Sequence, residues 1–287
     1  MSQNLTTCCG TIKSVKIAIQ GVAGSFHDQA ARQFYNLDNY ELTACNTFED
    51  VFKSVKDDLA EVGFVAIENS LYGSIHETYD MIIKYKANIV GEIQLPIHQQ
   101  LIASPSAKLA DINTVMSHPA ALDQCRSYIE KHLTNTKVIE HHDTAGAVAD
   151  ISQGSDNKVA AIASKTAAAL YGMKVLAENI EDEPDNITRF IVISKKPLDD
   201  KSGNKASLVL MTDHTPGSLY RALGVFNKHN INLTKIESRH VRGQPYKYQF
   251  IVDAICSSDQ LSQMNKELDT QNCRVTKLGH YLENLGS

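Results

Sequence analysis

The chain has 287 residues, 43% hydrophobic and 21% charged, with a formal net charge of -5. At ~100–200 residues per domain this length accommodates two or more domains, and the balance is that of an ordinary globular protein without a general pull toward nucleic acid or acidic membranes. No basic stripe and no apolar run of membrane-spanning length is present, so neither nucleic acid nor membrane is an expected partner and any anion site must be built locally.

The six cysteines, at positions 8, 9, 45, 125, 256 and 273, lack CxxC spacing and are too sparse for a disulfide framework, so they read as reduced thiols, mostly buried. Residues 1–14 form a polar tail with neither the apolar core of a secretory signal nor the arginine-rich pattern of a transit peptide. A cytoplasmic protein is the expectation.

Residues 15–20 (VKIAIQ) predict a strand. The glycine turn Gly21-Val22-Ala23-Gly24-Ser25 follows, then a helix with Phe26, Ala30 and Phe34 at helical spacing, for which Ser25 and Asp28 supply a capping-box-like start. The unit recurs: strand 41–46 leads to a helix from Thr47, and strand 62–67 leads through Glu68-Asn69-Ser70 to a helix near 75–85. After Pro96 the pattern predicts strands 97–103 and 113–117, then one helix from Pro119 carrying Leu122, Cys125, Ile129 and Leu133 on one face. Strand 136–140, a helix from Asp143, strand 158–163 and a helix from Ser164 to Gly172 come next. Pro119 suits a first helical turn and Gly172 a helix end. Strand 187–194 closes a region, 15–196, that reads as two α/β lobes of largely parallel sheet, lobe 1 about 15–95 and 176–196, lobe 2 about 96–175. Ligands bind at the carboxyl ends of strands in such sheets.

Residues 195–204 (KKPLDDKSGN) are a polar linker containing Pro and Gly, and a different pattern follows. Strand 205–212, a helix from Pro216 to about His229, strand 231–239, a turn at 242–245, strand 246–255, a helix near 258–271 and strand 273–282 predict a βαββαβ domain over 205–287.

The segment Asn186-Ile187-Thr188-Arg189-Phe190 sets a hydroxyl and a fixed positive charge side by side after an acidic loop. Arg189 can hold a carboxylate with two parallel hydrogen bonds while Thr188 donates to an oxygen of the same ligand. Phe190 packs the strand against the core or forms an aromatic wall. Gly24-Ser25, Asn69-Ser70, Asp143-Thr144-Ala145 and Ser164 all sit at strand-to-helix corners, where backbone N–H groups point outward. Each serves as an ordinary N-cap or as part of an anion-binding cleft. Glu68, at the end of an apolar strand, is a rival acid or a carboxylate paired with backbone or an arginine. His27, His118, His141 and His142 fall near loop corners and could titrate near neutrality. They show no HExxH spacing and no companion cysteine cluster, so no metal is expected. GxGxxG and GxxxxGK[ST] are absent, which leaves nucleotide cofactors unsupported; no cofactor is expected.

With Glu68-Asn69-Ser70-x-x-Gly73-Ser74, Ser117-His118-Pro119, Asp143-Thr144-Ala145 and Glu237-Ser238-Arg239, the Thr188-Arg189-Phe190 segment resembles the prephenate dehydratase family from about Val15 to the end of the chain. The resemblance implies a two-lobed catalytic domain like that of type 2 periplasmic-binding proteins, followed after a 197–204 linker by a ferredoxin-like ACT regulatory domain. It implies decarboxylative dehydration of prephenate to phenylpyruvate, with Thr188, Arg189 and Phe190 as the catalytic triplet. Gly24, Ser25, Glu68, Asn69, Ser70, Gly73, Thr144, Ala145 and Ser164 would then bind substrate. It makes Ser117-His118-Pro119 a structural corner.

The resemblance further implies that L-phenylalanine binds Gly217, Ser218, Leu219, Glu237, Ser238 and Arg239 where two ACT domains meet, in a homodimer or homotetramer. This chain departs from the family's usual Gly-Ala-Leu and Glu-Ser-Arg-Pro by Ser218 and His240. Histidine for proline restores a backbone N–H at the strand end. Arogenate dehydration on the same fold and a non-catalytic amino-acid sensor are the competing readings.

Overall fold

The computed structural model describes residues 15–36, 40–154, 156–198, 203–241 and 247–284. In chain order the elements begin β1 (Lys16–Gln20), α1 (Phe26–Tyr35), β2 (Glu41–Cys45), α2 (Phe48–Lys56), β3 (Val62–Asn69), β4 (Gly73–Ser74), α3 (His76–Tyr85), β5 (Asn88–Pro96) and β6 (Gln100–Ala103). A short 3-10 turn at Leu109–Asp111 precedes β7 (Thr114–Ser117), α4 (Pro119–Gln124), α5 (Arg126–His132), β8 (Lys137–Glu140), α6 (Thr144–Gln153), β9 (Val159–Ala163), α7 (Lys165–Leu170), β10 (Lys174–Ala177) and β11 (Ile187–Ser194). The last six are β12 (Lys205–Met211), α8 (Ser218–Lys228), β13 (Asn232–His240), β14 (Tyr248–Ile255), α9 (Ser258–Thr270) and β15 (Arg274–Tyr281).

Two compact units result, one of residues up to 79 with 94–190, the other of 80–93 with 191–287. In the first, β11, β3, β1 and β2 lie side by side, β1 being parallel to both β2 and β3. The second sheet runs β10-β6-β9-β7-β8, with β7 parallel to β8 and β9 and β6 antiparallel to its neighbours. The helices start where capping side chains stop the strand-to-helix turns. Ser25, Thr47, Asp143 and Ser164 each accept from the backbone N–H three residues on, which satisfies one of the donors that a helix start leaves open. Asp28 departs from the expected reciprocal box, because its carboxylate accepts from Gly24 N at 2.7 Å and also holds Arg32 and Tyr40.

Two expectations in this unit change. The helix from Pro119 is broken into α4 and α5 at Cys125 (φ -114°, ψ 18°), because Asp182 inserts there. Its N–H takes the Gln124 carbonyl at 2.7 Å, and its carboxylate accepts from Ser127 N at 3.2 Å. The strand expected at 97–103 begins only at Gln100, after the unforeseen β5.

In the second unit the strands run β13-β14-β12-β15-β5, and α8 and α9 cover one face with an apolar core that includes Leu208, Leu210, Val225, Phe226, Val252 and Leu268. The βαββαβ order is that of the sequence; the turn expected at 242–245 lies outside the described residues. His240 ends β13 opposite Tyr248, and the two rings lie 4.5 Å apart, so the strand continues where a proline would have blocked its N–H. Beneath the sheet, Lys205 meets Glu92 at 2.7 Å with both side chains nearly sealed from solvent, and the Tyr281 hydroxyl donates to Glu92 at 3.4 Å. The four cysteines among the described residues are buried free thiols, and burial raises each of them above the ordinary thiol range. No helix among the described residues is long and apolar enough to cross a membrane.

β15 approaches β5 at Gly279, opposite Ile89, so closely that a Cβ there would overlap the Ile89 carbonyl. Gly279→Ala is therefore expected to destabilise the fold by about 2 kcal/mol or more, measured by urea unfolding, since backbone must move to admit the methyl group. An unchanged midpoint would contradict this close contact.

Candidate active site

The ends of β3 and β11 are joined by one side chain. Asn69 Nδ2 donates to Asn186 Oδ1 at 2.7 Å and to Thr188 Oγ1 at 3.0 Å, while Asn69 Oδ1 accepts from Leu71 N at 3.0 Å and Tyr72 N at 3.2 Å. Ser70 adds its own ties: its N–H donates to Ile187 O at 2.8 Å, and its hydroxyl donates to Asp185 O at 3.0 Å and accepts from Ile187 N at 2.9 Å. Because Thr188 Oγ1 receives an N–H from Asn69, its own proton is directed elsewhere.

Thr188 borders a cavity of about 340 Å³ within the first unit. Ser25, Asn69, Thr144, Thr188 and Phe190 among the expected residues line it, together with His27, Tyr72, Gln99, His118, Gln124 and His142. None of its lining residues is Lys or Arg. One acid, Asp143, lines it and is turned to the α6 start, where it accepts from Gly146 N at 2.8 Å; the remaining polarity comes from neutral side chains and from the starts of α1 and α6, whose first N–H groups have no partner within their own helices. Phe190 thus serves as a wall of the cavity, one of the two readings open for it.

Other expected residues lie apart from this lining. Arg189 is buried and pairs with Glu68 at 3.0 Å, and neither side chain lines the cavity. Thr188 and Arg189 were expected to act on one ligand; adjacent residues of β11 project to opposite faces, and only Thr188 lines the cavity. The carboxylate of Glu68 follows its second reading, paired with an arginine. Gly24 has φ +88°, and a Cβ there would meet the Ala167 Cα at 2.9 Å, so this glycine serves the approach of α7. Ser164 caps α7 and donates to Gly24 O at 2.6 Å, again a packing role. The Ala145 side chain is fully buried in the core of the second sheet, leaving only its N–H at the α6 start. Ser70 is committed to residues 185–187, and Gly73 is an exposed residue of β4 paired with Asn69, at φ +75°, where an added Cβ would meet nothing within 4 Å. Ser117 donates to Ile162 O at 2.5 Å inside the core, as a structural corner would.

The histidines divide. His141 Nδ1 lies 2.7 Å from Asp143 O, and its Nε2 lies 3.1 Å from Asp150; His142 stacks on it at 4.2 Å and borders the cavity. His118 caps α4, its Nδ1 accepting from Ala120 N at 3.2 Å. For His27 the expectation of titration near neutrality is overturned: burial pushes its imidazole down to about 4. Among the described residues no group of three or more His, Cys, Asp or Glu is arranged to hold a metal. Sequence reasoning passed over Tyr72, Gln99 and Gln124 as site residues, and named His27 only as a titratable histidine near a loop corner. Their contribution comes from loops and helix starts that converge only in the fold, and none carries a local signature.

In the second unit a larger cavity, about 970 Å³, is lined by residues 212–216 and Ser218 on one side and by Lys247, Tyr248, Phe250 and Arg274 on another. Gly217 holds the left-handed conformation (φ +79°) that opens α8. Of the six expected effector residues only Ser218 lines this cavity. Leu219 lies in the first turn of α8, Ser238 is an exposed residue of β13, Glu237 pairs with Lys235 at 3.6 Å, and Arg239 pairs with Asp80 at 3.1 Å.

The family described as prephenate dehydratase matches residues 17–198. A bifunctional chorismate mutase/prephenate dehydratase of Aquifex aeolicus (strain VF5) is 38% identical over 279 residues, 96% of this chain and 76% of its own. An arogenate dehydratase/prephenate dehydratase 2 of Arabidopsis thaliana is 36% identical, covering 91% and 71%. Among solved structures, a protein described as a novel type of quorum-quenching acylase is 30% identical with a TM-score of 0.82, covering 95% of this chain and 98% of its own. A prephenate dehydratase of Arthrobacter aurescens in complex with L-Phe is 28% identical with a TM-score of 0.81, covering 94% and 90%.

The His27 shift has a measurable consequence. A base whose folded pKa lies near 4 and whose unfolded value is near 6.5 binds its proton more readily when unfolded. Stability is therefore full above pH 6.5 and falls as the pH drops toward 4, by up to about 3 kcal/mol. His27→Phe should flatten this part of the stability profile relative to the unsubstituted protein, as followed by urea unfolding from pH 7 to 4. Parallel profiles would contradict the assignment.

Proposed function

The chain belongs to the prephenate dehydratase family, and from that premise we propose that it converts prephenate to phenylpyruvate in the cavity bordered by Thr188. The observation that carries the reading is the Asn69-to-Thr188 hydrogen bond, which leaves the Thr188 proton free to point at a ligand. In the reaction the bond from the ring to its carboxylate breaks, and that electron pair enters the ring. The carbon–oxygen bond of the ring hydroxyl then releases oxygen, which leaves as water after taking up one proton. Thr188 is too weak an acid to ionise, but its hydroxyl donates to the departing oxygen as negative charge develops there. Asn69 fixes the direction of that donation.

Carboxylates of the substrate are received by the N–H groups at the starts of α1 and α6, where the helix dipoles favour negative charge. A cavity without lysine or arginine suits the ring carboxylate, because a strong ion pair would hold the charge that must leave as carbon dioxide. Arg189 acts at a distance by holding Glu68 and keeping that carboxylate away from the substrate.

We assign catalysis to residues 15–196 and regulation to 205–287, joined by the 197–204 linker, in a cytoplasmic homodimer or homotetramer. L-Phenylalanine would meet the second unit beside Ser218, with its carboxylate at the α8 start and Glu237 to Arg239 completing the site where two copies meet. The relative solved with L-Phe supports this reading. Arogenate is the second candidate substrate. Gln99 Oε1 is buried beside the cavity with no hydrogen-bond partner among the described residues, and it would accept from an ammonium but not from a keto oxygen.

Purified protein given prephenate and arogenate side by side should release phenylpyruvate from the first, and no aromatic product from either would contradict the reading. Thr188→Val should lower kcat by roughly two to three orders of magnitude with a smaller change in KM, as loss of one preorganised donor does. Near-normal turnover would move the role to another group. Gly217→Val, which forces a β-branched residue into a left-handed conformation, should raise the phenylalanine concentration for half-inhibition by about tenfold. An unchanged inhibition curve would separate the α8 start from the effector.

A further inference from the structure

Buried polar atoms are almost always hydrogen-bonded, and those that are not call for a physical account. His27 Nε2 is such an atom, buried with no partner among the described residues. His27 is the second residue of α1, and it lines the 340 Å³ cavity beside Thr188 and Phe190. Its ring meets Phe190 at 5.0 Å and 81°, and Phe48 at 5.7 Å and 63°, both edge-to-face arrangements. Aromatic edges carry partial positive charge and faces partial negative charge, so such a wedge offers no strong acceptor to an N–H. Orphaned buried N–H groups are also rarer than under-satisfied acceptors. The ring proton therefore belongs on Nδ1.

We propose that His27 contacts the substrate as a neutral donor, its Nδ1–H hydrogen-bonding a carboxylate oxygen held at the start of α1. The inference rests on the dehydratase reading of the cavity and adds a specific group to it. Its motivation is the ligand's charge: a dicarboxylate enters a cavity with no lysine or arginine in its lining, so neutral donors must be aimed at it. A neutral imidazole at a helix start adds one donor without adding the fixed cation that would retain the ring carboxylate. Burial keeps the ring uncharged across neutral pH.

The three substitutions His27→Asn, His27→Gln and His27→Phe separate the two nitrogens, because an asparagine amide reaches the place of Nδ1 and a glutamine amide the place of Nε2. For prephenate, kcat/KM should fall about 10- to 100-fold in the Phe and Gln variants, the usual effect of losing a hydrogen bond to a charged group, with most of the loss in KM. His27→Asn should recover most of that loss. A Phe variant within about twofold of the unsubstituted enzyme, or rescue by Gln and not by Asn, would overturn the proposal.

A second arm uses the unsubstituted protein labelled with nitrogen-15 at histidine, with the His27 signals identified by their loss in the Phe variant. The expected pattern is the Nδ1–H tautomer, with the Nδ1 resonance moving when phenylpyruvate is added. An Nε2–H pattern, or signals indifferent to phenylpyruvate, would overturn the proposal whatever the kinetics show. If the unsubstituted protein turns over neither prephenate nor arogenate, the dehydratase reading fails on that observation, while the nitrogen spectrum still decides the role of His27.

Discussion

One asparagine side chain organises the catalytic unit. Asn69 uses its carbonyl to close the turn after β3 and its amide to fasten that turn to Asn186 and Thr188. Two chain segments about 117 residues apart in sequence, by the separation of Asn69 from Asn186, thereby share one rigid corner. A hydroxyl that accepts a hydrogen bond becomes a better-directed donor, and buried networks of this kind lose more than a single bond when one member is removed. The direction of the Thr188 proton, and with it any chemistry at the departing hydroxyl, depends on this corner.

The alternation of β11 then decides which charges the substrate meets. Thr188 and Phe190 border the cavity, and Arg189, between them, is turned to Glu68. A guanidinium confined by a carboxylate partner is neutralised locally, so the cavity keeps a polar but uncharged lining on that side. Helix starts and neutral side chains supply the attraction for anions. This division fits a reaction in which one carboxylate must be held and another must depart. Binding both carboxylates with fixed cations would stabilise the reactant as much as the transition state and would not speed the step.

Much of this was legible in the chain. The capping residues Ser25, Thr47, Asp143 and Ser164 start their helices where the sequence placed them, and the βαββαβ order from Lys205 onward follows the periodicity of the residues. β5 escaped because Gly91 and Glu92 interrupt its apolar run. Glu92 is fully buried against Lys205, a partner 113 residues away, and no local rule anticipates a buried carboxylate whose cation arrives so late in the chain. The break at Cys125 escaped for a similar reason, since Asp182 from a distant loop takes the Gln124 carbonyl. At the site, the motif around Thr188 was readable, but the pairing of Arg189 and the wedge around His27 depend on which side of a strand or helix faces the cavity.

A crystal structure of the slow Thr188→Val variant with prephenate bound tests the central claim most directly. The account predicts the substrate carboxylates against the starts of α1 and α6, the ring hydroxyl within about 4 Å of the residue 188 side chain, and Arg189 still paired with Glu68. A substrate carboxylate seated on Arg189, or a ring hydroxyl turned away from residue 188, would contradict it.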